Sequence, residues 1–151
     1  MHEGLSRQVI WGELSQVEPH MKTQPRLDVS THEEPIMTLL AQVKDNPNDV
    51  LWDQLSEVTA VMLGIEGGNS FMRPMAPQPD PEENTIWFFT KKSSEIFSEL
   101  DSSKMAHICL VNEDKHFWAC VKGRLMEAFD PKVVDRFWSP SIEAWYQDGN
   151  L

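Results

Sequence analysis

The sequence predicts a mainly β protein, an antiparallel barrel with flanking helices, and three observations carry that expectation. Strand-like runs outnumber helical ones, they follow one another at hairpin spacing, and turn residues recur at short intervals between them. Parallel βαβ units would need a helix-length crossover between successive strands, so the pattern favours an antiparallel barrel.

Taken in order, residues 1–35 mix Pro19, Pro25 and Pro35 with scattered charge. Their apolar residues Leu5, Val9, Trp11, Leu14 and Val17 fit a 3.6-residue period poorly. A flexible extension is expected there, with a partner-binding helix as the alternative. The ordered domain is expected over residues 36–151. PIMTLLAQVKD and NPNDVLWDQLSEVT space their apolar residues helically, with Leu51, Leu55 and Val58 on one face and Asn48 or Asp49 as N-cap. TAVMLGIE, the turn residues GGN at 67–69 and SFMRPM then predict a hairpin, whose return strand Pro74 demotes to an edge or a bulge. TIWFFT predicts a third strand. KKSSEIFSEL predicts a short helix capped by Ser93 or Ser94, with Ile96, Phe97 and Leu100 facing inward. MAHICLVN and FWACVKGRLMEAF predict a second hairpin around EDKH, in a register that sets Cys109 directly opposite Cys120. DPKVVDRFWSPSIEAWYQDG predicts a closing helix interrupted at Pro140.

Composition narrows the function classes. A chain of 151 residues with 40% hydrophobic content has the length of one domain and enough apolar side chains for one core. Its formal charge of −11 argues against nucleic acid or an anionic membrane as partner, because both attract a positive surface field. No run approaches the about 18 apolar residues of a membrane span, and the first twenty residues hold no cationic leader, so a cytoplasmic location is expected. The two cysteines lack CxxC spacing and suit a reducing compartment; they are expected as buried, reduced, small apolar residues, with a reactive redox pair as the sharper alternative.

The catalytic inventory is thin. His2, His20, His32, His107 and His116 are scattered, no metal-ligand spacing is present, and no nucleophile–base arrangement or Gly-rich phosphate loop is legible. One constellation remains: Arg73, Thr90, Lys91, Lys92, Ser93 and Ser94 fall around two strand ends and a helix start. Free N–H groups, hydroxyls and a bidentate guanidinium suit a phosphomonoester. The structural alternative pairs Arg73 with Asp80 or Glu82 and leaves the lysines as a solvated corner.

At these residues the chain resembles a known family. "AVMLGIEGG", "MRPMA", "IWFFTKKSSEI" and "FWSPSIEAWYQDG", in that order from about Val50 to Gly149, look like the general stress protein branch of the pyridoxamine 5'-phosphate oxidase-like FMN-binding split barrels. The resemblance implies a six-stranded antiparallel split β-barrel forming a homodimer, with FMN in each of two grooves between subunits. It implies that Arg73 reaches the flavin phosphate, that backbone around Pro74 and Met75 borders the isoalloxazine, that Thr90 and Ser94 bind near the phosphate with Lys92 or Lys91 as a supporting cation, and that Trp138 packs near the ring across the dimer. Two departures from the family pattern stand out. Its phosphate-site lysine, two positions after the serine, is Ile96 here and is preceded by Glu95, and its last strand beyond the "DG" has no counterpart before Leu151, so a missing C-terminal strand is expected. The expected function is a flavin-binding redox protein taking hydride from a reduced nicotinamide, without an assigned catalytic acid or base. The alternative is a cofactor-free dimeric binding module that has lost the phosphate site. Oxidation of pyridoxamine phosphate itself would require a further basic site that the sequence does not offer.

Overall fold

Seven strands can be traced among the described residues of the computed structural model, which are 8–18, 39, 41–91, 93–100, 103–128, 130–140 and 142–143, with 8–18 described by backbone alone. They are β1 (Gln8–Glu18), β2 (Val61–Ile65), β3 (Arg73–Met75), β4 (Gln78–Asp80), β5 (Thr85–Thr90), β6 (Ser103–Asn112) and β7 (Phe117–Ala128). All pair antiparallel in one sheet of order β3-β2-β6-β7-β1-β5-β4. Helices flank it, among them α1 (Pro47–Glu57), α2 (Glu95–Ser98) and α3 (Pro131–Phe137), and residues 41–45 ahead of α1 are helical too. The class is therefore the mainly β, helix-flanked antiparallel one expected. No helix of the described residues is long and apolar enough to cross a membrane.

The sheet's ends explain why the barrel is split. Its two edge strands, β3 and β4, lie at opposite ends of the pairing order, yet only Ala76 and Pro77 separate them in the chain. Two residues span at most about 7 Å, so the sheet must curl until its edges come close. Pro74 on β3 and Pro79 on β4 lack N–H donors, which suits strands with an unladdered side and disfavours closure. Pro74 thus marks an edge, as expected.

Inside the curl, alternate residues of β2, β6 and β7 converge with β5: Leu63, Ile86, Phe88, Ile108, Leu110, Phe117, Val121 and Leu125 form one core with Leu51 and Leu55 of α1 and Ile96 of α2. Strand β5 is buried on both sides, because Trp87 and Phe89 on its reverse face lie under Val133, Val134 and Ile142. Such double burial is why TIWFFT is a continuous apolar run. Burying each of these large side chains contributes about 1.5–3 kcal/mol.

Several local expectations change. Residues 8–18, placed in a flexible extension by the sequence, form β1 and pair with both β5 and β7, filling what would otherwise be two open edges. A register shift between Leu14 and Gln16 breaks their two-residue period, and the pairing is with strands about 75 to 115 residues away, so no local pattern announces it. The remainder of residues 1–35 lies outside the described residues, as do the expected helix start at Ile36 and the C-terminal region from 144, where a missing strand was expected. The described strands number seven, the five read along the sequence together with β1 and the short, proline-rich β4. Helix α1 starts at Pro47 with Asn46 as N-cap, two residues ahead of Asn48, since proline's fixed φ and missing N–H suit the first helical residue. Ser94, not Ser93, caps α2. The second hairpin forms in the predicted register around Glu113–His116, with Cys109 opposite Cys120.

Candidate functional site

Four of the expected residues are brought within one neighbourhood by the β2–β3 hairpin and the β5–α2 corner. Arg73 opens β3 opposite Leu63, followed by exposed Pro74 and by Met75, which turns into the core. Thr90 ends β5 on the same alternation as Ile86 and Phe88, and four residues later Ser94 caps α2. The Thr90 and Ser94 hydroxyls are buried and 2.8 Å apart. Ser94 Oγ also accepts the Phe97 N–H at 3.3 Å, and its own N–H donates to the Lys91 carbonyl at 3.0 Å. Whichever hydroxyl donates in the pair, the other keeps an O–H donor for a ligand.

Arg73 joins this corner through Glu95. Its Nη2 donates to Glu95 Oε2 at 2.7 Å, while its Nε is buried and lacks a hydrogen-bond partner. The sequence alternatives for its acidic neighbour, Asp80 and Glu82, are not the ones used. Asp80 is buried and committed elsewhere: Arg136 Nη2 lies 2.9 Å from Oδ1, and Trp87 Nε1 donates to Oδ2 at 3.4 Å. The contact with Asp80 raises the Arg136 pKa further above its already high value. Sequence reasoning saw Glu95 only as a repulsive neighbour of a phosphate; its part as the partner of Arg73, 22 residues away, has no local signature.

A second acid, Glu99, fixes the approach to the site. Its Oε1 accepts the N–H groups of Asn69 at 3.1 Å and Ser70 at 2.8 Å, tying the loop before β3 to the end of α2. Gly67 in that loop has φ +71°, the left-handed region that glycine enters at no cost, and a Cβ at Gly68 would collide with the Glu99 carboxylate. The two glycines therefore serve this turn, as expected.

Ile96 is 1% exposed and belongs to the main core. The expectation that a lysine at this position would restore a phosphate contact does not hold here, because an ammonium at that point would be buried among apolar side chains. Lys92 lies outside the described residues. Trp138 stands at the C-cap of α3 and packs edge-to-face on Phe89, centroids 5.7 Å apart, on the face of β5 opposite to Thr90. Within one chain it is thus separated from Arg73, Thr90 and Ser94 by the thickness of the sheet. Trp87 and Phe89 are covered by α3. Among the described residues the exposed large apolar side chains are Met62, Phe71, Met72, Val111 and Trp118. Inside the curl, a cleft lined by Leu63, Phe88, Ile108 and Leu125 has a volume of about 10 Å³, room for about one water and too small for a flavin ring.

Comparison with known proteins follows the same outline. Residues 46–151 match the family described as pyridoxamine 5'-phosphate oxidase like, a span that includes every strand but β1. Two crystal structures are similar. One, assigned as a general stress protein 26 from Jannaschia sp. CCS1, is 32% identical with a TM-score of 0.57, over 65% of this chain and 61% of that one. The other, assigned to the general stress family and from Xanthomonas campestris pv. campestris, is 33% identical with a TM-score of 0.60, over 71% of this chain and 74% of that one. The chain thus spans less than two thirds of the Jannaschia protein's length. Among curated proteins none matches. With the curled antiparallel sheet, the Arg-Pro-Met edge strand and these matches together, the chain belongs to the pyridoxamine 5'-phosphate oxidase-like family, on its general stress protein branch.

Proposed function

We propose that this chain binds FMN at the open rim of the curl beside Arg73, in a groove completed by a second copy, and serves as a cytoplasmic flavin-dependent redox protein. The carrying observation is the convergence of Arg73, Thr90 and Ser94, with a partnerless, buried Arg73 Nε–H and one uncommitted hydroxyl donor. These are the donors that a phosphomonoester uses, and the charged ones contribute about 1.5–3 kcal/mol each. Because α2 has only four residues, its dipole adds little, and the guanidinium and hydroxyls carry the binding. A phosphate would displace the Glu95 carboxylate from Arg73, with Lys91 or Lys92 as the nearest sequence candidates for a second cation. Backbone at Pro74 and Met75 would border the ring, and Trp138 would come from the second copy. Phe71 and Met72, exposed just ahead of Arg73, supply apolar surface for that copy. When bound, the flavin supplies the hydride-accepting chemistry, with a reduced nicotinamide as donor, and the protein's residues bind and orient it.

The second reading, a cofactor-free dimeric binding module, is favoured by the Arg73–Glu95 ion pair and by Ile96 in the core. Visible spectra and FMN fluorescence titrations of the purified protein, with light scattering in parallel, separate the two. Saturable quenching of FMN and a mass about twice 17.4 kDa support the flavin reading. A dimer that leaves millimolar FMN fluorescence unchanged supports the module, and a strict monomer at micromolar concentration removes the shared groove.

A further inference from the structure

Cys109 on β6 and Cys120 on β7 face each other in register, and their Sγ atoms stand 3.7 Å apart. They belong to the outward set of their strands. Ala106, Ile108 and Leu110 of β6 and Phe117, Ala119 and Val121 of β7 are buried, whereas Cys109 is half-buried and Cys120 exposed. The expectation that both are buried apolar residues is thereby corrected. An exposed thiol beside a second one is not explained by packing.

The pair's surroundings decide between a metal and a disulfide. Its register neighbours are Met62 on β2 and Glu18 on β1, and the next outward pair along the hairpin is His107 with Lys122. Both of those point at Glu66: Lys122 Nζ is 2.8 Å and His107 Nε2 3.7 Å from Glu66 Oε2. Among the described residues no group of three or more His, Cys, Asp or Glu converges. What two opposed sulfurs can do without a third group is bond to each other. Directly opposed strand residues hold Cβ atoms about 4.5–5.5 Å apart, against about 3.5–4.5 Å in a disulfide. Closing the sulfurs from 3.7 Å to about 2.05 Å asks for side-chain rotation and a small approach of the strands beside a four-residue loop.

We propose that Cys109 and Cys120 form a reversible dithiol–disulfide site that exchanges with low-molecular-weight disulfides. The exposed Cys120 thiolate attacks one sulfur of the small disulfide, breaking its S–S bond, forming a mixed disulfide and releasing one small thiolate. Cys109 gives its proton to solvent and its sulfur displaces the second small thiolate from Cys120. The protein pair loses two electrons and two protons, and the small disulfide gains both and leaves as two thiols. The order follows from the surroundings: burial, and secondarily the adjacent Cys120 thiol, pushes the Cys109 pKa up, making it the poorer first nucleophile.

The test uses the full chain, reduced and desalted, then equilibrated in glutathione buffers of increasing oxidised fraction, alkylated after denaturation and weighed. Alkylatable thiols are expected to fall from two to none, with the loss of two hydrogens per chain, a β6–β7 cross-link in the non-reduced peptide map and full recovery with dithiothreitol. Cys109→Ser is expected to stop at a glutathione adduct on Cys120, and Cys120→Ser to react about tenfold more slowly. Two free thiols at every buffer ratio, a lasting glutathione adduct on the unaltered chain, or a disulfide between two chains would each overturn the proposal.

Discussion

Replacing Glu95 by glutamine tests the phosphate assignment directly. In the free protein Glu95 neutralises Arg73 across 2.7 Å, and an incoming phosphate has to break that pair. The side chains are 22% exposed for Arg73 and 74% for Glu95, so the pair is solvent-screened and worth about 0.2–1 kcal/mol. A carboxylate left about 4 Å from a phosphate costs a further ~1 kcal/mol even at the dielectric of water. Together, removing the charge is expected to tighten FMN binding about eight- to thirty-fold at low salt, with the gain shrinking as salt rises. Riboflavin, which lacks the phosphate, should be unaffected. Arg73→Ala should weaken FMN about ten- to hundred-fold and leave riboflavin nearly unchanged, and Glu95→Gln should gain much less in that background because the pair is already gone. Fluorescence titration of both ligands against the four proteins gives all the needed constants. If Glu95→Gln alters FMN affinity by less than twofold, or moves FMN and riboflavin equally, the phosphate does not bind at this corner.

Three other outcomes follow from the geometry. Ile96→Lys should destabilise the fold by about 3 kcal/mol or more, since it exchanges a core side chain for a buried charge, and urea titration with an unchanged midpoint would contradict that packing. Phe71, 93% exposed, can become Asp at almost no cost to the single chain, so Phe71→Asp should lower the light-scattering mass from two chains to one while thermal unfolding of the subunit is retained; an intact dimer would place the interface elsewhere. Glu66 has its pKa held below the ordinary 4.5, first by the hydrogen bond and charge of Lys122 and then by His107. A depressed folded value means that its stabilising contribution is present above pH about 4.5 and fades as pH falls through the lower folded pKa. Lys122→Met should bring the Glu66 carboxyl titration, followed by NMR, back towards 4.5, and a titration curve that does not move would remove the ion pair.

The sequence by itself determined what depends on local period and turn chemistry. The β6–β7 hairpin and the Cys109–Cys120 register followed from one four-residue turn, the edge character of β3 from Pro74, and the existence of β5 from an uninterrupted apolar run. A serine cap for α2, at Ser93 or Ser94, was legible because a hydroxyl before a helical turn has few other uses, and the structure chose Ser94. The family was legible from an ordered set of such pieces. Tertiary structure decided what depends on pairing across distance. Strand β1 is held by ladders to β5 and β7, and a bulge hides its period, so nothing within eleven residues reveals it. Arg73 meets Glu95 rather than Asp80 because α2 folds back on the edge of the sheet, while Asp80 is turned to the α3 face of the sheet, towards Arg136 and Trp87. The burial of Ile96 and the exposure of Cys120 are likewise set by which face of an element meets the core. That choice is made by the sum of long-range apolar contacts, which no single stretch of sequence contains.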